Sequence, residues 1–397
     1  MRVAVATWSS KSVGGVEEYL SILLPALLNL GIDVAFWHEL DRPGDRPDID
    51  VPAGVNVFAA PDLGVQESLR RLRAWAPDVI YVHGIHDLDI EASLLDMAPA
   101  VFFVHSYAGT CISGSKTTKR PHALPCERHF GAACLAHYFP RGCGGNNPVT
   151  MWRLFSHQTR QLAQLRRYSA VLTHSHHMRT ELRKHGLAAQ AVPYPARIEV
   201  ANPKPSDASV WRLLYAGRMD FLKGGRILLA ALPEIAGALD RRIQLVLAGD
   251  GPERADWERD AHQLRQTNPH IDITFTGWLR QEEVSRQLDN ADLLIVPSIW
   301  PEPFGSVGPM AAQHGVPAAA FAVGGIPDWL LENVSGHLAP GRPATATALA
   351  GAVLRCLQSP AHHQELKAGA LRCAERFTMA RHLPILMDVL RRVAATS

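Results

Sequence analysis

The sequence predicts an α/β protein built from two Rossmann-like, doubly wound domains. Three observations lead there. Short strand-like runs alternate with amphipathic stretches of helical period almost throughout, the pattern of a parallel sheet wrapped by helices. The pattern runs once to about residue 195, then restarts after the polar, Pro-containing stretch 201–209. The length of 397 residues, 47% apolar and 20% charged, is long for one soluble domain and comfortable for two.

The elements follow in order. Residues 3–7 read as a strand, and 16–30 as a helix closed by Gly31, a residue that tolerates the left-handed turn after a helix. Residues 34–38, 79–83 and 101–105 are further apolar runs of strand length. Residues 171–174 form a strand, 178–185 a helix ended by Gly186, and 191–192 with the loop 193–195 close the first domain, assigned to residues 1–200. The second domain, 210–378, starts with strand 212–216 and helix 225–238, then strand 244–248 and helix 253–266. Strand 273–276, a helix from Gln281 and strands 293–296 and 318–321 complete its sheet. A last helix, 379–395, carries Leu, Ile, Met and Val at helical spacing and can pack on either domain.

One segment breaks the pattern. Residues 107–150 are rich in Gly, Pro, Cys and His and too long for an ordinary loop, so the segment is either functional or stapled by metal. Basic and acidic residues nearly cancel, 40 against 38, which gives no reason to propose nucleic acid as a partner. No apolar run approaches the ~20 residues that span a bilayer. The N-terminus reads as a first strand and not as a signal peptide. The expected compartment is the cytoplasm, with at most peripheral contact at the inner membrane face, and there the six cysteines are reduced or metal-bound.

Four motifs carry chemistry. Gly14-Gly15 lies between the first strand and a helix, where glycine permits either a plain turn or a backbone N–H approach to phosphate. Gly217-Arg218 and Lys223-Gly224 follow the first strand of the second domain, at the sheet edge where such folds bind ligands. An Arg fork and a Lys point charge there suit a diphosphate. Gly249-Asp250-Gly251-Pro252 is a tight turn after another strand and reads mainly as structural. The most specific is the run 297–305, PSIWPEPFG, continued by Gly315-Val316-Pro317 and Gly324-Gly325-Ile326-Pro327-Asp328. It sets a carboxylate, an acceptor for sugar hydroxyls, beside a turn that opens a helix with free N–H donors.

With these motifs the chain resembles the family 4 retaining glycosyltransferases of GT-B architecture. The resemblance covers nearly everything outside 107–150 and is strongest in LLYAGRMDFLKG, LVLAGDGPE, ITFTGWL, ADLLIVPSIWPEPFG and VGGIPDWL. It implies two domains facing a central cleft that hold a nucleotide-sugar donor, a UDP-sugar first. Gly14 and Gly15 would face phosphate from the N-terminal, acceptor-binding domain, and His105 would lie beside the donor sugar. Arg218 and Lys223 would bind the diphosphate, and Glu302 would hold sugar hydroxyls. Phe304, Gly305 and Ser306 would supply backbone N–H groups, and Trp278 and Leu279 would flank the base. The chain departs from the family pattern at Met310, where a second Glu, assigned to the ribose hydroxyls, is expected. A thioether cannot accept two hydroxyl hydrogen bonds as a carboxylate does. Losing one charge-assisted pair weakens binding by roughly 1.5–3 kcal/mol without abolishing it.

The implied reaction is front-face transfer needing no protein nucleophile, no organic cofactor and no catalytic metal, because two fixed cations meet the leaving phosphate. The acceptor class is a carbohydrate, a lipid-linked sugar or a small natural product. In the insert, Cys111, Cys126, Cys134 and Cys143 are separated by 14, 7 and 8 residues, with His122, His129 and His137 among them. They can form a structural zinc site, an iron–sulfur site, disulfides in an oxidising compartment, or unliganded thiols, and zinc is the first expectation. Cys356 and Cys373 sit in helical patterns and read as buried, and His174, His176 and His177 as cleft-edge or surface residues. The competing class is a degenerate relative that binds a nucleotide sugar or a partner without turnover, motivated by Met310.

Overall fold

The computed structural model describes every residue except 13, 45, 198–208, 240 and 397, so the expected linker at 201–209 lies, apart from Ser209, outside the described residues. The chain divides into two units. The first comprises Met1–Ser115, Arg128–Pro195 and Met379–Ser397, the second Lys116–Glu127 and Ala196–Thr378.

The first unit holds strands β1 (Arg2–Ser9), β2 (Asp33–Leu40), β3 (Asn56–Ala59), β4 (Val79–Val82) and β5 (Ala100–Phe103). Next in the chain come β6 (Thr117–Thr118) and β7 (Leu124–Pro125), a short antiparallel pair that belongs to the second unit. Strands β8 (Ala170–Thr173) and β9 (Ala189–Ala191) return to the first. Its seven strands run in the order β3-β2-β1-β4-β5-β8-β9, all parallel. A parallel sheet is covered on both faces, so its central strands are continuously apolar. VIYV in β4 and AVFF in β5 are buried at every position. The helix Gly15–Asn29 packs Tyr19, Leu20, Leu23, Leu24 and Leu27 into this core. The final helix, Met379–Ala394, settles the choice that its sequence leaves open. Leu386, Met387, Val389, Leu390 and Val393 join the core of the first unit beside Val3, Val5, Tyr81 and Phe103.

The second unit holds β10 (Val210–Ala216), β11 (Arg242–Ala248), β12 (Ile271–Gly277), β13 (Leu293–Val296), β14 (Ala318–Phe321) and β15 (Gly336–Ala339). Their order is β12-β11-β10-β13-β14-β15, again all parallel, the doubly wound order 3-2-1-4-5-6. Each unit is thus a Rossmann-like parallel sheet flanked by helices. The edge strands β3 and β15 escape sequence reading because NVFA and GHLA are short and mixed, without an apolar run. Within 107–150 the structure adds the β6–β7 pair, the short helix Ala133–His137 and the start of the helix Pro148–Leu165.

Candidate active site

In the second unit the strand order reverses between β10 and β13, and a doubly wound sheet binds ligands outside the C-terminal ends of such strands. The two exits are built against each other. After β10, Asp220 caps the turn Phe221–Lys223 by accepting from the Leu222 and Lys223 N–H groups at 3.0 and 3.2 Å. Its other carboxylate oxygen accepts from Arg218 Nε at 2.9 Å, although the Arg218 side chain is 71% exposed. After β13, the Ile299 and Trp300 N–H groups donate to the Leu222 carbonyl at 2.9 and 3.1 Å. Gly224 ends the turn at φ +71, and a Cβ there would lie 1.9 Å from the Pro297 carbonyl oxygen. Only glycine serves: Gly224→Ala is expected to destabilise the second unit by at least about 2 kcal/mol, read from denaturant unfolding midpoints. A midpoint within error of the wild type would remove this account of the turn.

This clamp brings Lys223 and Glu302, 79 residues apart, into contact. Lys223 Nζ donates to Glu302 Oε1 at 2.6 Å, and Ser298 Oγ donates to the same oxygen at 2.6 Å. The ammonium lies 5.0 Å from the centroid of the Trp300 ring, a cation–π contact. Glu302 is 5% exposed, and its backbone is pinned as well: its carbonyl accepts from the Gly325 N–H at 2.7 Å. A Cβ on Gly324 would meet the Glu302 nitrogen at 2.4 Å, which explains the paired glycines of the motif. Among the described residues the side-chain bonds from Lys223 and Ser298 both fall on Oε1 of Glu302 and not on Oε2.

The surrounding turns carry the other predicted residues. Gly305 adopts φ +92, and Phe304 is buried with its carbonyl accepting from Trp329 Nε1 at 2.8 Å. Ser306 precedes the helix Val307–Gln313, on which Met310 is buried. Gln281 Nε2 stands 2.7 Å from the Met310 sulfur, so a neutral amide lies beside the thioether that replaces a carboxylate. Trp278 and Leu279 follow β12 directly and are half-buried. Gly249, at φ +145, would place a Cβ 1.9 Å from the Gly217 carbonyl oxygen, and its N–H donates to Gly277. That turn knits the exits of β10, β11 and β12.

In the first unit Gly14 and Gly15 stand between β1 and the helix Gly15–Asn29. The Gly14 N–H donates to Glu17 Oε2 at 2.9 Å, so a carboxylate in the first turn of the helix meets the backbone at its N-terminus. The chemistry gathers after β4, β5 and β8, three adjacent strands followed by His83, His105 and His174. His83 Nδ1 and His105 Nε2 are 2.9 Å apart. His174 Nδ1 lies 3.0 Å from the Val192 carbonyl, and His382 Nδ1 lies 2.7 Å from that of Pro193. A carbonyl only accepts, so both rings carry their proton on Nδ1. His382 Nε2 then accepts from Tyr19 Oη, which accepts in turn from Tyr81 Oη, each at 2.9 Å. Burial holds all four imidazoles neutral, pushing His105 down to about 3 and His382 down to about 4, with His83 and His174 well below the ordinary value. His174 is thus part of a packed aromatic cluster, 4.3 Å from the Phe103 ring, while His176 is exposed and His177 half-buried.

The zinc expectation finds no support in the geometry. Among the described residues no group of three or more His, Cys, Asp or Glu side chains is placed to hold a metal ion. Cys126 belongs to the second unit, while Cys111, Cys134 and Cys143 belong to the first. The thiols make local contacts: Cys111 with Ser113 Oγ at 3.6 Å, Cys134 with the His129 carbonyl at 4.0 Å and Cys143 with that of His137 at 3.8 Å. Cys356 and Cys373 are buried, and burial pushes the Cys356 thiol up to about 12. Among the described residues no helix is long and apolar enough to cross a membrane.

Sequence reading missed Ser298, Trp300, Gln281 and His83. The first two lie inside the most specific motif, and His83 ends a strand as His105 and His174 do, a regularity visible in the sequence.

Comparison with known proteins follows the same division. The family described as Glycosyltransferase Family 4 matches residues 13–193, and that described as Glycosyl transferases group 1 matches residues 211–359. The chain is a family 4-like glycosyltransferase. The 2-deoxystreptamine glucosyltransferase of Streptomyces kanamyceticus is 34% identical over 164 residues, 41% of either chain. The glycogen synthase of Mycobacterium tuberculosis is 26% identical over 414 residues, spanning 92% of this chain and 88% of its own. Among solved structures, HepE of Anabaena in complex with UDP superposes with a TM-score of 0.68 at 18% identity, covering 99% of this chain and 100% of that one. That likeness extends the GT-B fold over the whole enzyme.

Proposed function

We propose that this glycosyltransferase moves a sugar, with retention of configuration, from a nucleoside diphosphate sugar to a hydroxyl of a carbohydrate, lipid-linked sugar or small natural product. The observation that carries the reading is the Lys223–Glu302–Ser298 contact at the strand-order reversal of the second sheet. It pairs a cation for the leaving diphosphate with a carboxylate that can accept from a sugar hydroxyl. A UDP-sugar is the first donor, supported by the UDP complex of HepE, and the similarity to a 2-deoxystreptamine glucosyltransferase favours a small polyol acceptor.

In the proposed step the acceptor oxygen attacks the anomeric carbon on the face the diphosphate leaves. The bond from that carbon to the phosphate oxygen breaks, and the acceptor proton passes to the departing phosphate. Lys223 and Arg218 stabilise the charge growing there, which is where fixed cations lower a barrier. Arg218, exposed and tied to Asp220, has to turn toward the ligand, whereas Lys223 is already held in place.

The test is thermal stabilisation by UDP, GDP, ADP, TDP and CDP, with Arg218→Ala and Met310→Glu alongside. A nucleotide at 100 times its Kd stabilises by about 2.7 kcal/mol. UDP is expected to stabilise the wild type, Arg218→Ala to abolish the shift and Met310→Glu to enlarge it. If no nucleotide binds until Met310→Glu is introduced, the site has lost its donor and the binding-only reading replaces this one.

A further inference from the structure

His83 plays no part in the step above, yet it is more buried than His105, at 4% exposed, and has one hydrogen-bonding neighbour. It follows β4 as His105 follows β5, and those strands pair, so the two imidazoles meet at the C-terminal edge of the sheet. The contact is Nδ1 of His83 to Nε2 of His105 at 2.9 Å. His83 Nε2 is buried and has no hydrogen-bond partner among the described residues. The rings of both histidines stack on Phe103, which fixes their planes.

Two neutral rings can share this bond in two ways. His83 can carry its proton on Nδ1 and donate, which leaves His105 protonated on Nδ1. Alternatively His105 donates from Nε2, and His83 must then carry its proton on the buried, partnerless Nε2. A buried N–H without an acceptor is the rarer and costlier orphan, while a bare ring nitrogen is the milder one. The first arrangement is therefore selected. We infer that His83 is a positioning residue that fixes the proton of His105 on Nδ1, so that His105 presents a hydrogen-bond donor and not a base to the substrate. A donor suits an oxygen of a sugar or its phosphate, and it agrees with a step in which the leaving phosphate takes the proton. The burial that keeps both rings neutral preserves this arrangement through the neutral pH range.

The role in turnover rests on the proposed function, but the tautomer does not, and the test separates them. Nitrogen-15 imidazole spectra of the full chain at neutral pH, with His105 assigned by its loss in His105→Asn, report which nitrogen bears the proton. The wild type is expected to show His105 protonated on Nδ1, and His83→Phe, which keeps a ring and removes the donor, to shift His105 toward the Nε2 form. His83→Asn retains an N–H near the Nδ1 position and is expected to restore the wild-type signal. Along with it, kcat/KM should fall about tenfold in His83→Phe and recover in His83→Asn. An Nε2 proton on wild-type His105, or an identical His105 spectrum in His83→Phe, overturns the inference. If His83→Phe does not fold, the wild-type spectrum alone decides. If no variant turns over any sugar while the tautomer shifts as stated, the proposed function fails and the positioning role stands.

Discussion

Lys223→Ala is expected to lower kcat by about a hundred- to a thousandfold, the scale seen when one preorganised stabiliser of developing charge is removed. The expectation follows from placement. Lys223 sits in the capped turn after β10, its ammonium 2.6 Å from Glu302 and stacked near Trp300, so it needs no reorganisation when charge grows on a leaving phosphate. Lys223→Arg should not rescue, because a planar fork cannot occupy the place of a compact ammonium held between a carboxylate and an indole. The same removal strands a buried carboxylate, so stability also falls. The double variant Lys223→Ala/Glu302→Gln separates the two effects. It removes the stranded charge and should recover stability, whereas activity should stay at the level of the single variant, since groups acting as a unit are not additive. A Lys223→Ala enzyme with kcat near wild type and only KM raised would show that Lys223 binds the ground state and does not stabilise the reaction.

What the sequence discloses and what it hides divide on range. Strands such as β4 and β5 are legible because burial on both faces forces an unbroken apolar run. Glu302 and Lys223 are each legible because a special turn surrounds them, Pro-Phe-Gly in one case and Lys-Gly in the other. Their contact is not, since it depends on the β10 and β13 exits meeting through Leu222, Ile299 and Trp300. Gly14-Gly15 reads either as a plain turn or as an approach to phosphate, and the bond from the Gly14 N–H to the Glu17 carboxylate three residues on is not legible from the glycines themselves. The cysteine insert resists reading for a related reason. Composition suggests a metal staple, yet Cys126 belongs to a different unit from its neighbours in sequence. The final helix could not be assigned because its apolar face fits either domain equally, and only the structure shows His382 and Leu386 within the first.

The first unit is expected to lose stability steeply as pH falls below about 6.5. Burial depresses the folded-state value of His382 to about 4 and holds His83 and His174 well down, while in the unfolded chain each titrates near 6.5. Between those values the unfolded state binds protons that the folded state does not, so stability rises with pH and falls with acid. Each such histidine contributes about 1.4 kcal/mol per pH unit, so His382 alone accounts for about 3 kcal/mol across its window. The structural reason is the chain Tyr81 to Tyr19 to His382 to Pro193. A proton on His382 Nε2 takes away the acceptor of the Tyr19 hydroxyl deep in the core. Denaturant midpoints measured from pH 7.5 to 5 with a probe in the first unit should drop steadily below 6.5. His382→Gln, which keeps an amide able to accept from Tyr19 but cannot titrate, should flatten that slope. An acid slope unchanged in His382→Gln would mean that carboxylates elsewhere, and not the buried imidazoles, set the acid limit of the enzyme.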